Sequence, residues 1–321
     1  MISFNKSYLD RIATEKGFIR DNLEKVMRLA EVLRHFHNND LLAHSLVLKG
    51  GTAINLTVFQ MPRLSVDIDL DFARNCCREE MLSARTLVNE EVLRYMESEG
   101  YRLKPGSKSP HTLDSWIFGY TNAGGNADTI KIEINYSDRC HVLPLVERNI
   151  TIDFLGDITV SVLSPIELFA SKINALIGRG AMRDVYDVYN MLRAGLFSEE
   201  DLNLLRKVLV FYLAVGSNCK AEDVPDKFSP FPHIDNITFS QVRAQLLPVL
   251  SNKERFDYIV AKQDVRQFLE GFLLFDEKEQ EFIRLFHQRL YHPEVLFGEG
   301  DIANRLSLHP MALWKCRLQN N

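Results

Sequence analysis

Between residues 66 and 72 the chain reads VDIDLDF, and this strict alternation of carboxylate and apolar side chains fits an extended strand better than a helix. Successive side chains of a strand point to opposite faces, so Asp67, Asp69 and Asp71 line one face while Val66, Ile68, Leu70 and Phe72 occupy the other. The result is an acidic ledge on a buried support. Like charges at that spacing repel one another, and a bound cation offsets the repulsion. Hard oxygen donors that leave coordination positions open suit Mg2+ or Mn2+ better than Zn2+.

Just upstream, Leu46, Val47 and Leu48 read as a short apolar strand, Gly50 and Gly51 break it, and a helix is expected to open at Thr52. Exposed N–H groups at a helix N-terminus, beside glycines that let a ligand approach, form a seat for phosphates. KGGTAINL followed by RLSVDIDLDF resembles the AbiEii/AbiGii toxin family of nucleotidyltransferases, to which MenT-type toxins belong, within the polymerase-β-like superfamily. The resemblance covers roughly residues 40–195. It implies an α+β (mixed α/β) fold, with a polymerase-β-like nucleotidyltransferase core sheet flanked by helices over residues 1–163. A mostly helical C-terminal domain over 164–321 would contribute Lys172 and Asp184 to the site.

Composition narrows the partners. A formal net charge of −5 argues against a protein that coats nucleic acid non-specifically, so any RNA contact must be a local basic patch. The five cysteines form no CxxC pair and are odd in number, which fits neither a zinc site nor a disulfide framework and suits a reducing cytoplasm. The N-terminus lacks an apolar export segment, and the longest strongly apolar run, 208–215, is too short to span a bilayer. We therefore expect a soluble, cytoplasmic protein with no membrane partner.

Taken in order, residues 5–42 are predicted helical, with Leu23, Val26, Met27, Ala30 and Leu33 inward. A second helix is predicted over 79–99, with Leu87, Val88, Val92, Leu93 and Met96 inward and Gly100 as its stop. The basic loop YRLKPGSKSPH, with Arg102, Lys104 and Lys108, is either an ordinary solvated loop or a phosphate-touching flap. Strands at 115–121 and 129–136 read as a hairpin about NAGGNAD. A polymerase-β-like site needs a third carboxylate on the strand beside the DxD strand. Glu133 is the candidate, its alternative being an exposed charge on an amphipathic strand.

Further strands are predicted at 150–155 and 158–163. Ser164 at the N-cap, Pro165 in the first turn and Glu167 as the partner of a capping box then announce a helix. Lys172 falls on the flank of that helix, able to reach a site while its stem stays packed. ELFASKINALIGRGAMRDVYDVYNML resembles the family's second signature. By that resemblance Lys172 contacts nucleotide phosphates and Asp184 is a catalytic or site-orienting carboxylate. Ion pairing between helices is the plain alternative. Beyond Gly195 the sequence reads as helices at 198–216, 239–260, 264–275 and 276–291 around a Pro-bearing loop at 223–233.

The expected reaction is nucleotidyl transfer, in which a hydroxyl attacks the α-phosphate of an NTP and pyrophosphate leaves. Asp67, Asp69 and Glu133 would hold Mg2+ or Mn2+. Gly50, Gly51 and Thr52 would seat the β- and γ-phosphates, with Ser65 and Lys172 assisting. Asp71 is a possible helper whose alternative is a solvated strand-end charge, and Arg63 is expected either to reach phosphate or to form a salt bridge. The resemblance implies the 3′ end of tRNA as acceptor, a separately encoded antitoxin as partner, and a toxin–antitoxin or abortive-infection setting. Alternatives are nucleotidylation of a protein or small molecule, or a non-catalytic NTP- or RNA-binding module.

Overall fold

The computed structural model describes residues 4–216 and 231–317. The chain forms two compact units. The first takes in the chain up to Arg139, then Leu145–Leu163 and Pro248–Arg255; the second takes in Cys140–Pro144, Ser164–Leu247 and the chain from Phe256 onward.

The first unit holds a sheet of seven strands: β1 (Leu46–Lys49), β2 (Asp67–Phe72), β3 (Arg102–Leu103), β4 (Leu113–Thr121), β5 (Ala127–Asn135), β6 (Val146–Ile152) and β7 (Gly156–Val162). Their order is β3-β4-β5-β2-β1-β7-β6. The pairs β2–β5 and β1–β7 are parallel and the rest antiparallel, so the sheet is mixed. Helix α1 (Lys6–Lys16) leads into α2 (Arg20–Asn38), and the one-turn α3 (Asp40–Ala43) ends this helical run. Next come α4 (Gly50–Thr57), packed on β1 and β2, and α5 (Arg78–Ser98). α2 lays Leu23, Val26, Met27, Ala30 and Leu33 into the core, as its period requires.

Several boundaries differ from expectation for identifiable reasons. Residues 5–42 are three helices because Gly17 takes a left-handed conformation (φ 77°) and ends α1. On α5, Val88, Val92 and Met96 are buried but Leu87 is 54% exposed; the helix buries a narrower stripe than the sequence suggests. The basic loop is no free flap. Arg102 and Leu103 pair with Gly119 and Phe118 as an edge strand, and Lys108 bridges Ser115.

The second unit is helical. It contains α6 (Pro165–Arg179), α7 (Met182–Arg193), α8 (Glu199–Gly216) and shorter helices down to Pro310–Arg317. Ser164 caps α6 by accepting from the Glu167 N–H, with Pro165 in the first turn. Glu167 does not complete a capping box. Its buried carboxylate accepts instead from the Val142 and Leu143 N–H groups and the Tyr212 hydroxyl, and burial pushes its pKa up against these partners and His141. The helix expected over 239–260 is Phe239–Gln245, a 3-10 turn at Leu247–Val249, and a non-helical stretch before Tyr258–Phe272. Pro248 cannot donate the N–H a continuous helix needs. The loop expected at 223–233 lies outside the described residues up to position 230.

Candidate active site on the first unit

β1 delivers the chain to Lys49 and Gly50, where it turns into α4. Gly50 sits at φ +71°, a conformation that disfavours any side chain. A Cβ there would overlap Oδ2 of Asp69 and lie 3.1 Å from the Asp69 Cβ. The Asp69 carboxylate therefore rests directly on the Gly50 backbone. At Gly51 an added Cβ would lie 3.0 Å from Arg63 Nη2 and 3.1 Å from Ser65 Oγ, so Ser65 closes the other side of the turn. Lys49 provides no side-chain cap for α4, and no acidic residue stands in its first turn. The helix thus opens with N–H groups that no side chain of its own takes up, an arrangement that suits an anion. Thr52 is committed elsewhere: its hydroxyl donates to the Asp67 carbonyl and ties α4 to β2.

The β2–β5 ladder places Asp67, Asp69 and Asp71 opposite Lys131, Glu133 and Asn135. Paired residues of adjacent strands project on the same side, so Glu133 stands beside Asp69 on the acidic face. Among the described residues the Asp67 carboxylate makes no hydrogen bond or ion pair. Asp71 is neither a solvated strand-end charge nor part of an open ledge. It is 2% exposed and ion-paired with the Lys49 ammonium. Burial alone would lower the pKa of Lys49, but Asp71, with Asp138 and Asp69 nearby, raises it. Arg63, expected to reach phosphate or form a salt bridge, is buried, with Nη1 donating to the Leu64 carbonyl at 3.0 Å.

Sequence reasoning passed over Lys49 and Asp138, and gave Lys131, on the face of Glu133, no role. Lys49 immediately precedes the two glycines, and that adjacency was the available signal. Lys131 lies two residues before Glu133 and ion-pairs with it at 3.0 Å. Asp138 follows β5 and accepts from Asn135 Nδ2 at 2.7 Å. Among the described residues, no three His, Cys, Asp or Glu side chains are grouped as a ready-made metal cage. The donor chemistry of Asp67, Asp69 and Glu133, all carboxylate oxygen on one sheet face, still fits a hard divalent ion that keeps open positions.

Lys172 and Asp184 belong to the second unit. Lys172 does not ride on the flank of α6: it is 6% exposed, with its ammonium 3.1 Å from both Asp184 Oδ1 and Asp187 Oδ2. Arg179 adds bonds to Asp184 from Nε (2.8 Å) and Nη2 (3.0 Å). Burial would raise the pKa of Asp184, but Lys172 and Arg179 together bring it below the usual carboxylate value. Asp184 and Asp187, three apart on α7, thus clamp α7 to α6 through one lysine.

The model of a protein family described as nucleotidyl transferase AbiEii toxin, type IV TA system, matches residues 31–287. No curated protein matches the chain significantly. Among solved structures the chain is similar to MenT4, a nucleotidyltransferase toxin from Mycobacterium tuberculosis H37Rv. The TM-score is 0.64 at 16% identity, over 96% of this chain and 99% of that one, a likeness of fold. A STING-associated CdnE c-di-GMP synthase from Capnocytophaga granulosa also aligns, at 15% identity over 85% of this chain and 83% of that one. Its TM-score of 0.26 carries no argument.

Proposed function

We propose the 3′ end of tRNA as the acceptor for this chain, which belongs to the AbiEii family of nucleotidyltransferase toxins. The chain is a nucleotidyltransferase, the toxin of a toxin–antitoxin system, with an NTP as substrate and a cognate antitoxin. In the proposed reaction a terminal hydroxyl of the RNA forms a bond to the α-phosphorus. The bond from that phosphorus to the bridging oxygen breaks, and pyrophosphate carries the electron pair away.

The N–H groups opening α4 at Gly50 and Gly51 bind the β- and γ-phosphates, and Ser65 borders that seat. Thr52 contributes by fixing α4 to the carbonyl of Asp67 rather than by touching phosphate. Asp67, Asp69 and Glu133 would hold Mg2+ or Mn2+, which when bound offsets the charge that builds on the transferring phosphoryl group. Glu133 would complete that coordination or take the proton of the attacking hydroxyl. Lys172 could reach a phosphate only by leaving Asp184 and Asp187, so we assign Lys172 and Asp184 to ordering the α6–α7 pair.

The observation that supports the nucleotidyl-transfer site is the close approach of Asp69 to Gly50, which sets the acidic row beside the phosphate seat; the tRNA acceptor rests on the family resemblance. No helix among the described residues is long and apolar enough to cross a membrane. The free cysteines support placement in the cytoplasm, and an abortive-infection role is consistent with the family. The test is to incubate the purified chain with Mg2+, total tRNA and each labelled NTP in turn. Label is expected in tRNA, and Asp69→Asn should abolish it. Label in protein instead would select protein nucleotidylation, and NTP binding without transfer would select the binding-module alternative.

A further inference from the structure

Four carboxylates on the β2 and β5 strands share the acidic face: Asp67, Asp69, Asp71 and Glu133. Two ammonium groups answer them. Lys49 takes Asp71, and Lys131 takes Glu133 at 3.0 Å. The two lysines differ in commitment. Lys49 pairs with an aspartate whose side chain is 3% exposed, whereas Lys131 and Glu133 are 40% and 27% exposed. Ion pairs as accessible as the second are weak and readily exchanged. The ladder also sets Lys131 directly opposite Asp67, the first carboxylate of the row.

We propose that Lys131 is the resident counterion of Glu133. It holds that carboxylate while no divalent cation is present and yields it when one binds. Its freed ammonium then turns to the phosphates of the substrate. This role rests on the nucleotidyl-transfer reading above and adds to it a positioning residue that competes with the metal. The competition gives removal of Lys131 two effects of opposite sign. Cation binding tightens because a competitor and a like charge are gone, while substrate binding weakens because a phosphate partner is gone.

The test compares wild type, Lys131→Met and Lys131→Arg. Mn2+ binding to the protein without nucleotide is read by electron paramagnetic resonance, and the NTP KM is taken from transfer kinetics. In Lys131→Met the Mn2+ dissociation constant should fall roughly threefold to fivefold, the scale of an exposed ion pair. The KM should rise severalfold with melting temperature unchanged, and Lys131→Arg should stay near wild type on both. Mn2+ binding that is unchanged or weaker in Lys131→Met overturns the counterion role, and so does an unchanged KM. Asp69→Asn separates the two failures. If Mn2+ binds the wild type no better than this variant, the metal reading fails and this role fails with it. If Mn2+ binding depends on Asp69 but ignores Lys131, only the counterion role fails.

Discussion

Replacing Gly50 with alanine tests the joined surface most directly. The backbone at φ +71° costs a non-glycine residue about 1–2 kcal/mol. The new Cβ would also overlap Asp69 Oδ2, and α4 is held by the Thr52 bond to β2, so the carboxylate has to swing away. A loss of about 2 kcal/mol from a domain of at least about 5 kcal/mol leaves roughly 99% of molecules folded. The melting temperature should fall by only about 2–8 °C. Activity should fall far more, since displacing a reacting group by about 1 Å costs on the order of 100-fold. Gly125→Ala is the control: its φ of +86° carries the same backbone cost, but an added Cβ meets nothing within 4 Å, so stability should fall alike and activity far less. The assay is a thermal melt beside label transfer from NTP to tRNA. Gly50→Ala keeping half its activity or more, or matching Gly125→Ala, would refute the claim that Asp69 and the turn form one site.

Three further outcomes are expected. Asp67→Asn should abolish transfer while leaving the cation-free melting temperature equal or higher, because it removes a charge that has no partner among the described residues; a clear drop would contradict the ledge argument. Lys172→Met leaves two buried carboxylates with less compensation and should destabilise by about 3–5 kcal/mol, visible in denaturant unfolding; an unchanged transition with lost activity would instead make Lys172 a substrate contact. The folded-state pKa of Asp184 lies below its ordinary 3.8, so its contribution to stability is present above that value and disappears as pH falls through the lower, folded one. The stability gap between wild type and Asp184→Asn, measured by melts between pH 7 and pH 3, should therefore close on the acid side, and a gap constant with pH would exclude this linkage.

The centre of the first unit was legible because two local patterns coincide there. Alternation around Asp67 and Asp69 makes the strand, and paired glycines make the turn. The register of Glu133 against Asp69 followed only from asking which strand lies beside the acidic one. Side-chain commitments were hidden because they depend on partners distant in sequence. Asp71 looks equivalent to Asp69 until Lys49 is seen to take it, and Lys172 looks like a surface lysine until α7 lays two carboxylates against it. Periodicity also carried the helix expected over 239–260 past Pro248. The residues after that proline serve the first unit instead: Leu64 N–H donates to the Val249 carbonyl at 2.7 Å, and Arg63 bridges Leu250.

That late segment has a consequence for biosynthesis. Besides Leu64, it holds Asn22, whose amide donates to the Pro248 carbonyl, and Lys16, whose carbonyl accepts from the Ser251 hydroxyl, both at 2.7 Å. A polypeptide still emerging from the ribosome lacks these partners until residue 255 has been made. The first unit therefore completes its packing late in translation, and a chain terminated before residue 248 should fail to give this unit its native stability.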